Sequence, residues 1–571
     1  MPATAPPRQF VPKDLDVSDW SQVKPLFDAL RSRQIGSPAE LERWLLDFSE
    51  LSAVIDEDGA RRYIEKSCHT DDKEIEKRFL FFVEQIEPKV KPLAFALQKK
   101  FLDSPHRPAL SDKRFAVLAR KWQAEVEIYR DENVPLEVEI TRLVNDYDKI
   151  CGAMMVQFRG KEYTMQQMAR FTEEPDRALR EEAWRASTSR QLLDREAISK
   201  LFDEILPIRH KIAINAGTSD FRAYMWKALK RFDYTPDDCV RFADAIEECV
   251  VPLSDRLDRE RAAALMLDRL RPWDFAVDPL SRPPLRPFKD SEIDQFIAKT
   301  HTIFQRVSPQ LADEFDSLRA NHNLDLASRK GKQPGGYQST LNEVRQPFIF
   351  MNAAGSHRDV VTLLHEGGHA FHALATAREP LLFLREPGME FCEVASMAME
   401  LFGDEHLDVF YNPADHARAR HNHLEGIIRL LPWIATIDIF QHWLYTNPDH
   451  SREQRAEQWL NLRSRFGSRL IDWSGIEDVQ RTNWQQQLHL FHVPFYYVEY
   501  GIAQLGALQL SMKAKDDPQR ALSNYRAGLA LGGTRPLPEL FNTAGIRFDF
   551  SKQTLKPLMV AVAEELSQLP S

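Results

Sequence analysis

Apolar residues recur at three- and four-residue spacing along much of the chain. Pro38 to Phe48 (in SPAELERWLLDF), Asp72 to Ile86 and Asp255 to Leu270 carry this period, which gathers apolar side chains on one face of an amphipathic helix. Two regions break it. Ala276 to Phe288 holds Pro279, Pro283, Pro284 and Pro287, which forces a loop between helices. Gly331 to Asn352 has turn glycines at Gly331, Gly335 and Gly336, then Phe348-Ile349-Phe350-Met351, a short β-prone run. The pattern predicts a mainly α protein with a small β-sheet just before residue 356. The most apolar long stretch, Ile427 to Tyr445, is interrupted by Arg429, Pro432, Asp438, Gln441 and His442. A bilayer span needs about 20 nearly uncharged residues, so this stretch reads as a buried core helix.

Composition narrows the class. An apolar fraction of 43% supports a large core, and a net charge of -10 argues against a general nucleic-acid binder, which needs a basic face. The start, MPATAPPRQFVPKD, has no apolar run and so no secretory signal. Cys68, Cys151, Cys239, Cys249 and Cys392 are scattered and never in CxxC spacing, as expected of free thiols in a reducing cytoplasm. The chain is expected to be soluble and cytoplasmic, with no membrane or nucleic-acid partner. No residue pattern selects an oligomeric state.

The chemistry concentrates in SHRDVVTLLHEGGHAFH, residues 356–372. Ser356 and Asp359 form a helix-start pattern, and Pro380 marks or follows the end. His365 and His369 then lie one turn apart on one helix face, the geometry two neutral imidazoles need to share a zinc ion. Glu366 sits beside them, placed to reach a water rather than the metal. Gly367 and Gly368 each cost about 1 kcal/mol in a helix interior relative to alanine, which predicts that another backbone or a substrate approaches closely there. His372 faces the same side. Because a catalytic zinc keeps three protein ligands and one open position, His372 reads as a core histidine.

The third ligand sorts the zinc peptidase classes. The metzincin pattern would need glycine and histidine where His372 and Ala375 stand. A thermolysin-like site takes a glutamate from a later helix, and EFCEVASMAMELF (390–402) is helical in pattern, with Glu393 and Glu400 on one face. Spacing alone leaves Glu390 and Glu393 both open. HEGGHAFH followed by Glu393 in E-V-A-S-M-x-M-E, 24 residues after His369, resembles the M3 peptidases, the oligoendopeptidase F and thimet oligopeptidase group. GKQPGGYQ, RQPFIFMNAAGSHRDVVTLLHEGGH, IDIFQHWLY, PFYYVEYGIAQLGALQL and LGGTRPLPELFNTAGI are similar to the same group, so the likeness covers roughly residues 200–560.

The resemblance implies Glu393 as the third ligand, Glu400 behind the ligands, one Zn2+ per chain, and a helical zincin fold with an elongated body, a deep cleft and an edge strand near Phe350 to Ala354. It divides the chain into an N-terminal helical region, 1–199, and a catalytic domain, 200–571. Single residues of the N-terminal region read as scaffold. His489, His492, Tyr496, Tyr497 and Tyr500 cluster near the carboxyl end, and a helix from Phe495 onward would put the three tyrosines on one face. The resemblance implies that a histidine and tyrosines here hold the substrate carbonyl, with His489 and Tyr500 first and Tyr497 next. His416, His421 and His423 sit among arginines and an acid and read as solvated surface. The expected activity is zinc-dependent cleavage of internal bonds in short peptides. A metallocarboxypeptidase, a silent peptide-binding protein and a purely structural helical protein are the alternatives.

Overall fold

Each amphipathic segment is a helix in the computed structural model, which describes residues 7–289 and 291–569. The first becomes Pro38–Cys68. Ser37 accepts a hydrogen bond from the Glu40 amide at its start, and Pro38 occupies the first position, where no amide partner is needed. The second runs Lys73–Phe81, passes through a π turn at Phe82–Ile86 and continues as Glu87–Leu102. The third is Val251–Ala264, shorter than its periodicity suggests. The proline-rich stretch 276–288 is irregular. The reading of the N-terminus as free of a secretory signal begins on residues 1–6, which lie outside the described residues.

Apolar side chains collect in two large cores. One joins Val11 through Trp122 with Leu381 and Leu384; the other spans Leu143 to Leu566. The division expected after residue 199 is not where the fold divides. Helix Arg177–Asn215 passes through that position unbroken, and the two cores part between Trp122 and Leu143. Domain boundaries fall where few contacts cross, and the middle of a 39-residue helix is not such a place.

Among the described residues, five strands accompany the helices. β1 (Met155–Phe158) and β2 (Lys161–Thr164) form a hairpin. β3 (Leu324–Ala327), β4 (Tyr337–Leu341) and β5 (Gln346–Ala353) form a sheet of order β3-β5-β4, with β5 parallel to β3 and antiparallel to β4. This corrects the expected edge at Phe350. Ile349 and Phe350 are fully buried and paired on both sides, as in a central strand, whereas beyond Phe350 β5 pairs only with β3, and the polar YQSTL of β4 lies at the sheet edge.

β5 leads through Gly355, at φ 82°, into the motif helix His357–Thr376. Asp359 fixes its start by accepting from the Ser356 and Ala354 amides at 2.8 and 2.9 Å. The partner helix Met389–Asp404 packs against it, and Gly368 explains how closely, while Gly367 admits the Phe304 ring. A Cβ on Gly368 would stand 2.4 Å from the Ala395 carbonyl oxygen, and one on Gly367 would stand 2.6 Å from the Phe304 ring. The residues 427–445 lie inside helix Pro413–Thr446 and are largely buried. Among the described residues no helix is long and apolar enough to cross a membrane. All five cysteines are free.

Candidate metal centre

One helix turn separates His365 from His369, and the close packing that Gly368 permits brings Glu393 across from the partner helix. His365 Nε2 and His369 Nε2 lie 3.3 and 3.5 Å from Glu393 Oε2, and the possible ligand atoms of the three residues all fall within 4.8 Å of one another. Ligands about 2.0–2.1 Å from a tetrahedral zinc stand about 3.3–3.4 Å apart, so this donor set fits the ion in both chemistry and size. Glu390, the other glutamate left open by spacing, faces elsewhere. It accepts from the Tyr234 hydroxyl at 2.6 Å beside the buried Arg231.

The ligands are themselves held. His365 Nδ1 pairs with Glu400 Oε1 at 2.6 Å, which fixes the proton on Nδ1 and leaves Nε2 as the free donor atom. Glu400 Oε2 meets His423 Nε2 at 3.1 Å, and His423 Nδ1 meets Asp404. His423 is therefore not the solvated residue that its arginine-rich neighbourhood suggests. Its side chain is only 8% exposed, and although burial lowers its pKa, Asp404 and Glu400 outweigh that and raise it to about 10. His416 reaches the Asp404 carbonyl at 2.7 Å, while His421 stays half-exposed. Glu393 Oε2 accepts from Ser396 at 2.8 Å, and Oε1 accepts a short hydrogen bond from Tyr496. Burial would raise the Glu393 pKa, but the facing His369 and His365 imidazoles hold it well below the usual carboxylate range.

Glu366 is 5% exposed, and its Oε2 has no protein partner among the described residues. Burial raises its pKa. A free lone pair on a carboxylate beside the ligand triad is what a proton acceptor for water requires. His372 is buried against Phe391 and lowered to about 3 by burial, so it stays neutral.

The tyrosine segment differs from the expected single helix. Phe495 adopts φ 68°, reversing the chain, and the helix begins only at Val498. Tyr496 and Tyr500 consequently line the metal cavity, whereas Tyr497 is not among its lining residues and lies near Trp433 and Gln487. His492 pairs with Asp148 at 2.7 Å, away from the centre. His489 stands behind Tyr500, with Nε2 3.1 Å from the phenol oxygen.

The proton positions in this chain follow from donor chemistry. The Trp433 indole N–H can only donate, and it points to Gln487 Oε1 at 3.1 Å. Gln487 Nε2 must then donate to His489 Nδ1, 2.7 Å away. Burial lowers the His489 pKa to about 4, so the ring is neutral with its proton on Nε2, donated to the Tyr500 oxygen. The Tyr500 O–H is thereby left to face the cavity, and burial, acting first, keeps that phenol protonated.

The cavity encloses about 770 Å³ and ends on the ligand triad. One wall is the free-edged β4. The other comes from the N-terminal helices, through Asp56, Tyr63 and Phe82. These wall residues are the site positions that sequence reasoning missed; Tyr496 stood in the carboxyl-terminal cluster without being preferred there, and His423 was read as solvated surface. A second trio, Cys239, Asp438 and His442, also gathers ligand-type atoms. There Arg222 donates toward His442 Nδ1 at 3.4 Å, which leaves the ring proton on Nε2, toward Asp438 3.3 Å away. All three residues are buried.

The profile of Peptidase family M3 matches residues 170–560, and that of the Peptidase M3 N-terminal domain matches residues 10–129. The chain belongs to peptidase family M3. An oligoendopeptidase F homolog of Mycoplasma pneumoniae is 21% identical over 72% of this chain and 70% of its own length. Oligopeptidase PepF of Bacillus subtilis is 23% identical over 52% of this chain and 44% of its own length. A solved structure assigned as an oligoendopeptidase F superposes with a TM-score of 0.93 at 27% identity, covering 98% of this chain and 99% of that one. PZ peptidase A, solved with an inhibitor, gives a TM-score of 0.93 at 25% identity with the same coverage. The M3 chain is thus a peptidase with a mainly helical fold throughout, and its N-terminal third, read as scaffold, belongs to the family architecture and walls the cleft.

Proposed function

We propose that this M3 peptidase is a zinc-dependent oligoendopeptidase that hydrolyses internal bonds of short peptides, in the reducing cytoplasm that its five free thiols suit. The observation that carries the proposal is the convergence of His365 Nε2, His369 Nε2 and Glu393 Oε2 beside the unpartnered Glu366 carboxylate, at the end of a cleft walled by a free strand edge. Zinc held by these three residues would supply Lewis acidity for a carbonyl oxygen and bring the pKa of a water toward about 7.

The chain's own residues do the rest. Glu366 accepts the proton of the attacking water and later delivers it to the leaving amine; its raised pKa suits both transfers. Tyr500 donates its free O–H to the oxygen that gains charge as the carbonyl carbon becomes tetrahedral, and His489, oriented by Gln487, holds that O–H outward. Tyr496 fixes Glu393. Tyr497 lies at the far end of the chain, near Trp433 and Gln487, and does not act on substrate. The free edge of β4 offers main-chain partners to an extended peptide, which needs no terminal group and so suits internal cleavage over a carboxypeptidase action.

Elemental analysis of zinc-supplemented protein tests the centre. About one zinc per chain, with activity lost to a chelator and restored by zinc, is expected. Protein without metal would remove the proposal.

A further inference from the structure

Arg358 lies in the first turn of the motif helix and lines a second cavity of about 820 Å³. That cavity continues the metal cavity, since Gly336 lines both. Along one helix face, Arg358 and Thr362 border the second cavity, and His365, Glu366 and His369 border the first. Positions seven apart on a helix share a face, so Arg358 and His365 stand on one line along the groove.

The other charges of this cavity are matched. Glu425 pairs with Arg261 at 3.0 Å, Asp278 with Arg282 at 2.9 Å, and Glu173 with Arg286. Arg358 is exposed, and among the described residues no carboxylate or hydrogen-bond acceptor is paired with it. A guanidinium of this kind is a fork for a carboxylate.

Distance and direction place that carboxylate. Seven residues of helix rise about 10.5 Å, and an extended peptide covers that in about three residues. β4 starts at the Gly336 boundary and runs into the metal cavity, where Thr340 and Asn342 line the wall. A peptide paired antiparallel to β4 therefore runs the other way, with its C-terminal part toward Arg358; antiparallel pairing is the more stable choice per residue. Resting on the oligoendopeptidase reading, we infer that Arg358 binds a carboxylate of the substrate about three residues beyond the scissile bond, from an acidic side chain or from the peptide's own C-terminus.

The test uses peptides sharing one cleavage site. One set is blocked at both ends and carries Glu, Gln or Lys at the third residue beyond the bond. The other set ends at that residue, as free acid or amide. Wild type, Arg358→Gln and Arg358→Glu are compared by kcat/KM. Calorimetry on the same substitutions in a Glu366→Gln background reads binding without turnover. A charged hydrogen bond of this class corresponds to about tenfold or more, so wild type should favour Glu or the free acid by that factor. Arg358→Gln should erase the preference, and Arg358→Glu should transfer it to Lys. Preference in the first set only assigns a side chain, and in the second only the C-terminus. A wild type indifferent to charge in both readouts, or a preference that survives Arg358→Gln, would overturn the inference while leaving the peptidase reading intact. Absent turnover with intact, charge-selective binding would overturn that reading instead.

Discussion

The directional chain from Trp433 to Tyr500 makes a prediction that simple packing does not. Gln487→Glu keeps size and still accepts from Trp433, but it can no longer donate to His489 Nδ1. At high pH the His489 ring is neutral, and its only proton is drawn to Nδ1 by the new carboxylate. Nε2 then becomes an acceptor, and the Tyr500 O–H, 3.1 Å away, turns inward. To face substrate, Tyr500 must leave Nε2 buried and unpaired, which costs about 1–3 kcal/mol, or about 5- to 150-fold in kcat. Complete loss of one such donor, about 10²–10³-fold, sets the ceiling. At lower pH the variant His489 is an imidazolium with protons on both nitrogens, and the outward O–H returns. The sign is therefore fixed: the variant gains a new fall in kcat as pH rises through its His489 pKa, which the carboxylate lifts above the native value of about 4. Wild type has no such limb. Steady-state kinetics across pH, with zinc content and KM tracked on the same preparation, measures it. A variant with the wild-type profile, or one weakened equally at every pH, would refute the tautomer argument.

Four further outcomes are expected. Glu366→Gln should lower turnover by about 10²–10⁴-fold while calorimetry still detects peptide binding and elemental analysis still finds zinc, because the carboxamide keeps the shape but not the basicity; lost zinc would make Glu366 a ligand. The acid limb of wild-type kcat/KM should lie above the ordinary glutamate value of 4.5, since burial raises the Glu366 pKa and activity is lost as pH falls through it; a limb at or below that value would contradict the assignment. Glu393→Ala should sharply reduce zinc affinity. Glu390→Ala should retain zinc but melt several degrees lower, because it strips Tyr234 and the buried Arg231 of a partner; the reverse pattern would exchange the two glutamates. Gly368→Ala should reduce both melting temperature and zinc affinity, as its Cβ would meet the Ala395 carbonyl oxygen at 2.4 Å and push Glu393 away; a variant with native metal content would show that the helix contact is not what sets the ligand spacing.

How much was legible in the sequence followed from how local the determining physics is. The motif helix, its start at Ser356 and Asp359, and the shared face of His365 and His369 depend on spacing within a few turns, and they form as expected. Gly367 and Gly368 announced a close approach through their helix cost, and the partner helix and Phe304 supply it. Choosing Glu393 over Glu390 needed the family likeness, because both lie on one helix and only the packing of two helices separates them. The tyrosine register failed at one residue. Nothing in Phe495 itself signals a left-handed conformation, yet that φ of 68° exchanges Tyr497 for Tyr496 at the cavity. His423 was misread because its partners, Glu400 and Asp404, come from another helix. Asp56, Tyr63 and Phe82 reach the cleft only through tertiary packing, which leaves no spacing pattern in the chain.

The most direct test of the central claim is mass spectrometry of the products from a mixed library of short peptides acetylated at one end and amidated at the other. The protein would be compared as purified, after chelation and after zinc is restored. Internal cleavage that disappears with the chelator and returns with zinc is predicted. Intact doubly blocked peptides alongside trimmed free-acid peptides, or cleavage indifferent to metal removal, would contradict a zinc endopeptidase built on His365, His369 and Glu393.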